Sequence, residues 1–141
     1  MHQTHHQIRI LIMTWHKYAM NIAEAVSLKS KDPWKKVGAV LLRHDNSIAS
    51  VGYNGFPQGM KEDWSCRERR RIYVVHAEQN ALRYVRPNEC YMAACTLLPC
   101  RDCLRAFAGY GIKKVYYKEV YLNDTIALVV ASDFGITLIK L

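Results

Sequence analysis

One histidine and two cysteines in this chain have the types and spacing needed to hold a metal ion. His76 stands two residues before Glu78, and Cys100 and Cys103 follow Pro99 with two residues between them. A ring nitrogen and two thiolates would give zinc three protein ligands and leave the fourth position open for water, as in catalytic zinc sites. Glu78 would then be placed to move protons at that water. The pattern indicates zinc-dependent hydrolysis.

The alternative is a closed, structural zinc site, which would need a fourth protein ligand. The other cysteines are Cys66, Cys90 and Cys95. Cys90 and Cys95 fall at or in a predicted strand, where cysteine is often a small core residue, and Cys66 has no histidine or cysteine near it in sequence. The open site is favoured. Five cysteines, an odd number, with Cys-x-x-Cys near a histidine, also predict a reducing, cytoplasmic setting rather than a disulfide framework.

Composition sets the limits of the fold and of the partners. At 141 residues, half of them hydrophobic, we expect residues 1–13 to be a frayed N-terminal extension and residues 14–141 to form a single domain. No apolar run approaches the roughly 20 residues of a membrane span, and no signal-peptide pattern opens the chain, so no membrane partner is expected. A net charge of +8 favours anionic partners, either nucleotides or nucleic acid.

The elements that must position the ligands follow from periodicity. Helices are predicted over 14–28, 76–85, 100–110 and 124–134, and strands over 37–42, 48–53, 91–97, 114–117 and 136–141. His76 then falls in the first turn of its helix, and Cys100 and Cys103 lie one turn apart on one helix face. A helix N-terminus also stabilises thiolates. Asn123 is a candidate N-cap for the last helix.

These elements predict the fold class. The first two strands read as a hairpin, residues 54–59 as a loop, and residues 61–71 as a polar loop rich in arginine. A helix between the last two strands favours parallel pairing. The sum is an α/β domain, a five-stranded mixed sheet with helices on both faces in a three-layer α/β/α arrangement.

Several segments resemble the deoxycytidylate (dCMP) deaminases of the zinc-dependent cytidine and deoxycytidylate deaminase superfamily. They are Ser-Lys-Asp-Pro at 30–33, Val-Gly-Ala-Val at 37–40, Gly-Tyr-Asn-Gly-Phe-Pro-Gln-Gly at 52–59, Val-His-Ala-Glu-Gln-Asn-Ala at 75–81, Leu-Pro-Cys-Arg-Asp-Cys at 98–103 and Gly-Ile-Lys-Lys-Val at 111–115. The resemblance runs from Trp15 to the C-terminus. The Gly-Tyr-Asn-Gly segment distinguishes dCMP deaminases from transfer-RNA adenosine deaminases, which usually lack it. Free cytidine deaminases usually carry cysteine where His76 stands.

The resemblance implies a cytidine-deaminase-like fold, a homohexamer and the reaction of dCMP and water to dUMP and ammonia. That reaction is hydrolysis of a C–N bond in a cyclic amidine, and its product feeds dTMP synthesis. It implies His76, Cys100 and Cys103 as the ligands of one Zn²⁺ per subunit and Glu78 as the catalytic proton carrier. It further implies activation by dCTP, with Mg²⁺ accompanying the triphosphate, and inhibition by dTTP.

The resemblance also implies two sets of nucleotide-binding residues. The substrate set comprises Asn54 and Ala77, with phosphate contacts expected at Ser30, Lys31, Lys35, Lys36 and Tyr121. Asn54 is attractive because an amide can donate and accept hydrogen bonds at once. The effector set, expected at a subunit interface, comprises Gly52, Tyr53, Asn54 and Gly55.

Three questions stay open from the sequence. The basic segment Arg67–Arg71 has more positive charge than a monophosphate needs, so dCTP is a possible second substrate and inter-subunit ion pairs are an alternative use. The charge also suits a deaminase acting on a cytosine or adenine base within nucleic acid, although the aromatic-rich elements that stack flipped bases are missing. A non-catalytic nucleotide-binding protein on the same scaffold is the third reading.

Overall fold

A computed structural model describes residues 12–121 and 126–141 of the chain. Most of the expected N-terminal extension, and the expected N-cap Asn123, lie outside the described residues. The elements are α1 (Trp15–Ser27), β1 (Gly38–Arg43), β2 (Ile48–Tyr53), α2 (Arg67–Tyr73), α3 (Ala77–Leu82), β3 (Cys90–Leu97), α4 (Arg101–Gly109), β4 (Lys114–Glu119), α5 (Ile126–Asp133) and β5 (Thr137–Lys140). Within the described ranges, no helix is long and apolar enough to cross a bilayer.

The five strands form one mixed sheet in the order β2-β1-β3-β4-β5. Strand β1 pairs antiparallel with β2 and β3, whereas β3–β4 and β4–β5 are parallel pairs. The β1–β2 hairpin turns at Asn46, which adopts a positive φ of 68°, and Asp45 Oδ1 accepts a hydrogen bond from the Ser47 N–H at 3.0 Å. The predicted five-stranded mixed sheet is confirmed, including the parallel pairing of the last two strands.

Side-chain alternation along β1 divides the core into two layers, because successive residues of a strand point to opposite faces. Ala39 and Leu41 pack into a cluster with buried residues of α3, α4 and α5. Val40 and Leu42 pack into a second cluster against α1. Helices therefore cover both faces of the sheet, and the predicted three-layer α/β/α architecture is confirmed.

The basic segment expected as a loop contains the short helix α2, which corrects the sequence interpretation. Arginine is a good helix former, and α2 carries Glu68 in its first turn with Arg70 and Arg71 in its last, which suits the helix dipole. None of its residues is buried. Apolar periodicity therefore could not reveal this helix.

Helix α3 is also shorter and begins later than predicted. His76 is its N-cap rather than a first-turn residue, with an extended backbone at φ −67° and ψ 150°. At the other end, the N–H groups of Tyr84 and Val85 bond to carbonyls three residues back, at 3.4 and 3.3 Å. This tighter turn ends the α-helix at Leu82 rather than Val85.

Candidate active site

The metal-ligand candidates sit where two helices begin. His76 is the N-cap of α3 and Cys100 is the N-cap of α4, and both have extended backbones. Helix N-termini carry partial positive charge, which favours thiolates beside them. Helix α3 lies close to the sheet because β2 has a glycine there. A Cβ on Gly52 would meet the Ala77 carbonyl oxygen at 2.3 Å, so a side chain at this position would push α3 away.

The distances from the candidate ligand nitrogen to the two candidate ligand sulfurs match those of a tetrahedral zinc site. His76 Nδ1 lies 3.6 Å from Cys100 Sγ and 3.4 Å from Cys103 Sγ, and all three ligand atoms lie within 4.8 Å of one another. Zn–N and Zn–S bonds of about 2.0 and 2.3 Å at tetrahedral angles place nitrogen and sulfur about 3.5 Å apart. The donor set and its geometry therefore fit zinc.

The site has three protein ligands rather than four. Among the described residues, the group of histidine, cysteine and acidic side chains that could share an ion consists of these three alone. Cys66 is exposed, and Cys90 and Cys95 are buried in or at β3. In the part of the chain that the structure describes, no fourth protein ligand accompanies these three, and they would leave one coordination position of a zinc ion open.

The two cysteines interact strongly with each other. The Cys103 thiol beside Cys100 lowers the pKa of the Cys100 thiol to about 3, and the hydrogen bond between Cys100 and His76 adds to this effect. That hydrogen bond also raises the pKa of His76, and the proximity of Cys100 raises the pKa of Cys103. The cluster thus carries one negative charge readily, which prepares it for a cation.

Glu78 lies beside the ligands and is almost entirely buried, with 4% of its surface exposed. Its Oε2 accepts a hydrogen bond from Cys103 Sγ across 3.4 Å. Burial raises the pKa of the Glu78 carboxyl, because a charged carboxylate is poorly solvated in the interior. A carboxyl whose pKa is moved toward neutrality can both accept and donate a proton.

These groups open into a cavity of about 420 Å³. The predicted site residues that line it are His76, Ala77, Glu78, Cys100, Asn54, Lys35 and Tyr121. Cys103 lies buried behind this wall. The structure therefore gathers the catalytic candidates, the substrate candidates Asn54 and Ala77, and two of the expected phosphate contacts around one space.

The side-chain amide of Asn54 makes three hydrogen bonds within the protein. Its Oδ1 accepts a hydrogen bond from the Val37 N–H at 2.9 Å. Its Nδ2 donates to Asp32 Oδ2 at 3.1 Å and to the Lys35 carbonyl at 2.9 Å. Both amide hydrogens are thus in use, so this arrangement leaves only an acceptor lone pair on Oδ1 for a ligand rather than the expected donor and acceptor together.

Three of the five expected phosphate contacts do not line the cavity. Ser30 is buried and donates to the Asn54 carbonyl at 2.9 Å. Lys31 is exposed and pairs with Glu62 at 3.0 Å. Lys36 is exposed and also lies outside the cavity lining. Ser30 therefore supports the loop that carries Asn54, and neither lysine faces the space beside His76.

The cavity also contains residues that sequence analysis did not assign to the site. Arg67, Arg70 and Arg71 of α2 line it, and Arg70 Nε donates to Oδ2 of the buried Asp32. The guanidinium of Arg70 lies 5.8 Å from the centre of the Trp34 ring. The available signal was the spacing of the arginines, which places them on one face once residues 67–73 are recognised as helical.

The expected effector residues border a second cavity. It has a volume of about 490 Å³ and is lined in part by Gly52, Tyr53 and Gly55. The side chain of Asn54 belongs to the first cavity instead. Asn80 lines the second cavity and donates from Nδ2 to the Tyr53 carbonyl at 2.8 Å. Because Asn80 is on α3, this hydrogen bond links the second cavity to the helix that carries Glu78.

Comparison with known proteins gives consistent matches. The family model of the cytidine and deoxycytidylate deaminase zinc-binding region matches residues 13–119. A probable deoxycytidylate deaminase of Caenorhabditis elegans is 41% identical over 74% of this chain, which spans 57% of that protein's length. The human deoxycytidylate deaminase is 31% identical over 80% of this chain and 69% of its own.

A solved structure matches along the whole chain. It is the dCMP deaminase of the cyanophage S-TIM5 in complex with dCMP and dUMP, with a TM-score of 0.74 and 31% identity. The match covers 99% of this chain and 100% of that one.

Proposed function

This chain belongs to the family of cytidine and deoxycytidylate deaminases, and we propose from this premise that it catalyses the hydrolytic deamination of dCMP to dUMP and ammonia. The observation that carries the proposal is the position of Glu78. Its carboxyl contacts the ligand Cys103 and lines the same cavity as His76 and Cys100. The full-length similarity to a deaminase structure that holds dCMP and dUMP supports this choice of substrate.

The residues of the chain divide the chemistry between them. His76, Cys100 and Cys103 would hold Zn²⁺, which when bound supplies activated water near neutral pH. As the water oxygen bonds to the ring carbon that carries the amine, Glu78 would take one proton of the water and deliver it to the ring nitrogen of the cytosine. It would then take the second proton from the new hydroxyl and pass it to the amine, and the C–N bond breaks to release ammonia and leave the carbonyl of the product. Glu78 can do this because it sits beside the ligands while its own carboxyl is oriented by Cys103.

The nucleotide is held by the remaining lining residues. Ala77 lies in the wall between His76 and Glu78, and the free lone pair of Asn54 Oδ1 can accept a hydrogen bond from a sugar hydroxyl or a base amine. Lys35 and Tyr121 supply a cation and a phenol at the same cavity. Tyr121 is half-exposed, so its hydroxyl is free to turn toward a phosphate.

Regulation by deoxynucleoside triphosphates is part of the proposal. Gly52, Tyr53 and Gly55 border the second cavity, and Arg83 on its wall offers a cation for a phosphate chain. A triphosphate there, with its Mg²⁺, would act on Glu78 through the hydrogen bond between Asn80 and Tyr53. We propose dCTP as activator and dTTP as inhibitor in a homohexamer, with the product entering dTMP synthesis in the cytoplasm.

A substrate panel tests the proposal. Zinc-loaded protein is assayed on deoxycytidine, dCMP, dCDP, dCTP and a short single-stranded oligonucleotide, with and without added dCTP and dTTP. We expect turnover of dCMP that rises with dCTP and falls with dTTP. Turnover of the oligonucleotide alone would favour a deaminase of nucleic acid bases. Binding of nucleotides without ammonia release from any of them would favour a non-catalytic protein.

A further inference from the structure

The inner face of α2 presents positive charge to the active-site cavity. Arg67, Arg70, Arg71 and Val74 all line it, and their spacing of three, four and seven residues is that of a single helix face. The helix buries none of its side chains. Core packing therefore does not account for the composition of this face.

Ion pairs within the protein neutralise some of these cations but not others. Arg70 pairs with the buried Asp32, and Lys35 pairs with Glu119. In the described parts of the chain, neither Arg67 nor Arg71 belongs to an ion pair. These two arginines stand four apart, so their like charges oppose the helix unless an anion lies between them.

We propose that Arg67 and Arg71 bind the 5′-phosphate of the nucleotide substrate and favour a monophosphate over a triphosphate. This inference rests on the proposed function. A phosphate monoester carries a charge of about −1.5 to −2 at pH 7, which two guanidinium groups balance. Each guanidinium can also donate two parallel hydrogen bonds to phosphate oxygens. A triphosphate carries more negative charge than a monophosphate. Among the described residues that line the cavity, no further unpaired arginine is available to balance that additional charge.

The helix is fixed against the cavity before any ligand arrives. The Arg70–Asp32 pair anchors its inner face. Just beyond its C-terminal end, Val75 and Gly55 exchange backbone hydrogen bonds of 2.8 and 3.2 Å. Because α2 is held at these two points, Arg67 and Arg71 bind without the cost of ordering a loop.

The test compares charge removal on two faces of the same helix. The double variant Arg67→Gln/Arg71→Gln removes the inner pair. Arg69→Gln is the matched control, because Arg69 pairs with Asp63 at 3.5 Å and stacks on Tyr73 outside the cavity. We expect the double variant to raise the KM for dCMP at least tenfold while kcat stays within about twofold, since a uniform binding contact is lost. Arg69→Gln should leave KM within about twofold.

Two further readouts make the result specific for phosphate. Inorganic phosphate should inhibit the wild type competitively against dCMP, and its inhibition constant should rise at least tenfold in the double variant. The wild type should use dCMP at least tenfold better than dCTP, and the double variant should lose most of this preference. The pair Arg67→Lys/Arg71→Lys keeps both charges and should recover part of the affinity.

Several outcomes would overturn the inference. They are an unchanged KM in the double variant, an equal loss in Arg69→Gln, or equal use of dCMP and dCTP by the wild type. Equilibrium binding of dUMP separates this inference from the proposed function. If the wild type binds dUMP but does not deaminate dCMP, and the double variant loses that binding, the proposed function fails and the phosphate site stands. If dCMP is deaminated and the variants match the wild type, the proposed function stands and the phosphate site fails.

Discussion

The side-chain amide of Asn54 donates a hydrogen bond to the buried carboxylate of Asp32, with 3.1 Å between Nδ2 and Oδ2. The other oxygen of Asp32 accepts from the backbone N–H groups of Trp34 and Lys35, at 2.8 and 3.2 Å. Arg70 of α2 completes the set. One buried carboxylate therefore joins three segments that line the cavity, namely the loop after α1, the loop after β2, and α2.

We expect Asp32→Ala to lower the free energy of unfolding by about 3–5 kcal/mol, because the partly buried guanidinium of Arg70 and the N–H donors of Trp34, Lys35 and Asn54 lose their common acceptor. Denaturant-induced unfolding measures this loss. Asp63→Ala is the matched control, since Asp63 also pairs with an α2 arginine but its side chain is 41% exposed; it should cost less than about 1 kcal/mol. Equal losses in the two variants would show that Asp32 does not join these segments.

Glu78→Ala should keep one zinc per chain and lose turnover of dCMP by a factor of about 10²–10⁴, because its proton transfers are removed while the ligands remain. Metal analysis and ammonia release measure the two quantities on one sample. Gln79→Ala changes the exposed neighbour on the same helix and should retain activity. An active Glu78→Ala enzyme would contradict the proposed mechanism.

Cys103→Ala should abolish stoichiometric zinc after dialysis, because two ligands hold zinc far more weakly than three. Cys66→Ala should keep the full zinc content, since Cys66 is exposed and lies outside the ligand group. Metal content per chain is the measurement. A loss of zinc in Cys66→Ala would instead indicate a closed site with a fourth protein ligand.

Thiol labelling should distinguish the cysteines. Burial raises the pKa of Cys90 to about 11 and raises that of Cys95 well above its usual value. A raised thiol pKa means less thiolate, so at pH 8 only about one thousandth of Cys90 is reactive. In the zinc-loaded protein we expect an alkylating reagent to modify Cys66 first, as read by peptide mass spectrometry. Rapid modification of Cys90 under native conditions would show that the N-terminal end of β3 is accessible to the reagent, which would contradict the burial of Cys90.

Elements with a local signal are predictable from the sequence. Short apolar runs predicted β1 and β3, helical spacing predicted α1, and the short motifs predicted that His76, Cys100 and Cys103 lie together. Helix α2 was not predicted, because it buries nothing and so has no apolar stripe. The Arg70–Asp32 pair has no local signal either, because 38 residues separate the partners. The hydrogen bonds of the Asn54 amide also join residues distant in sequence, so the motif that contains Asn54 does not reveal them.

The placement of the ligands gives the catalytic centre a second consequence. His76 and Cys100 lie 24 residues apart, and the segment between them contains α3 and the central strand β3. A metal ion bound to both ends of this segment is a cross-link, which reduces the number of conformations available to the unfolded chain. Closing a loop of this length by a covalent bridge is worth about 3 kcal/mol in a chain-entropy model. Chelation should therefore lower the melting temperature as well as the rate, so that activity and folding fail together.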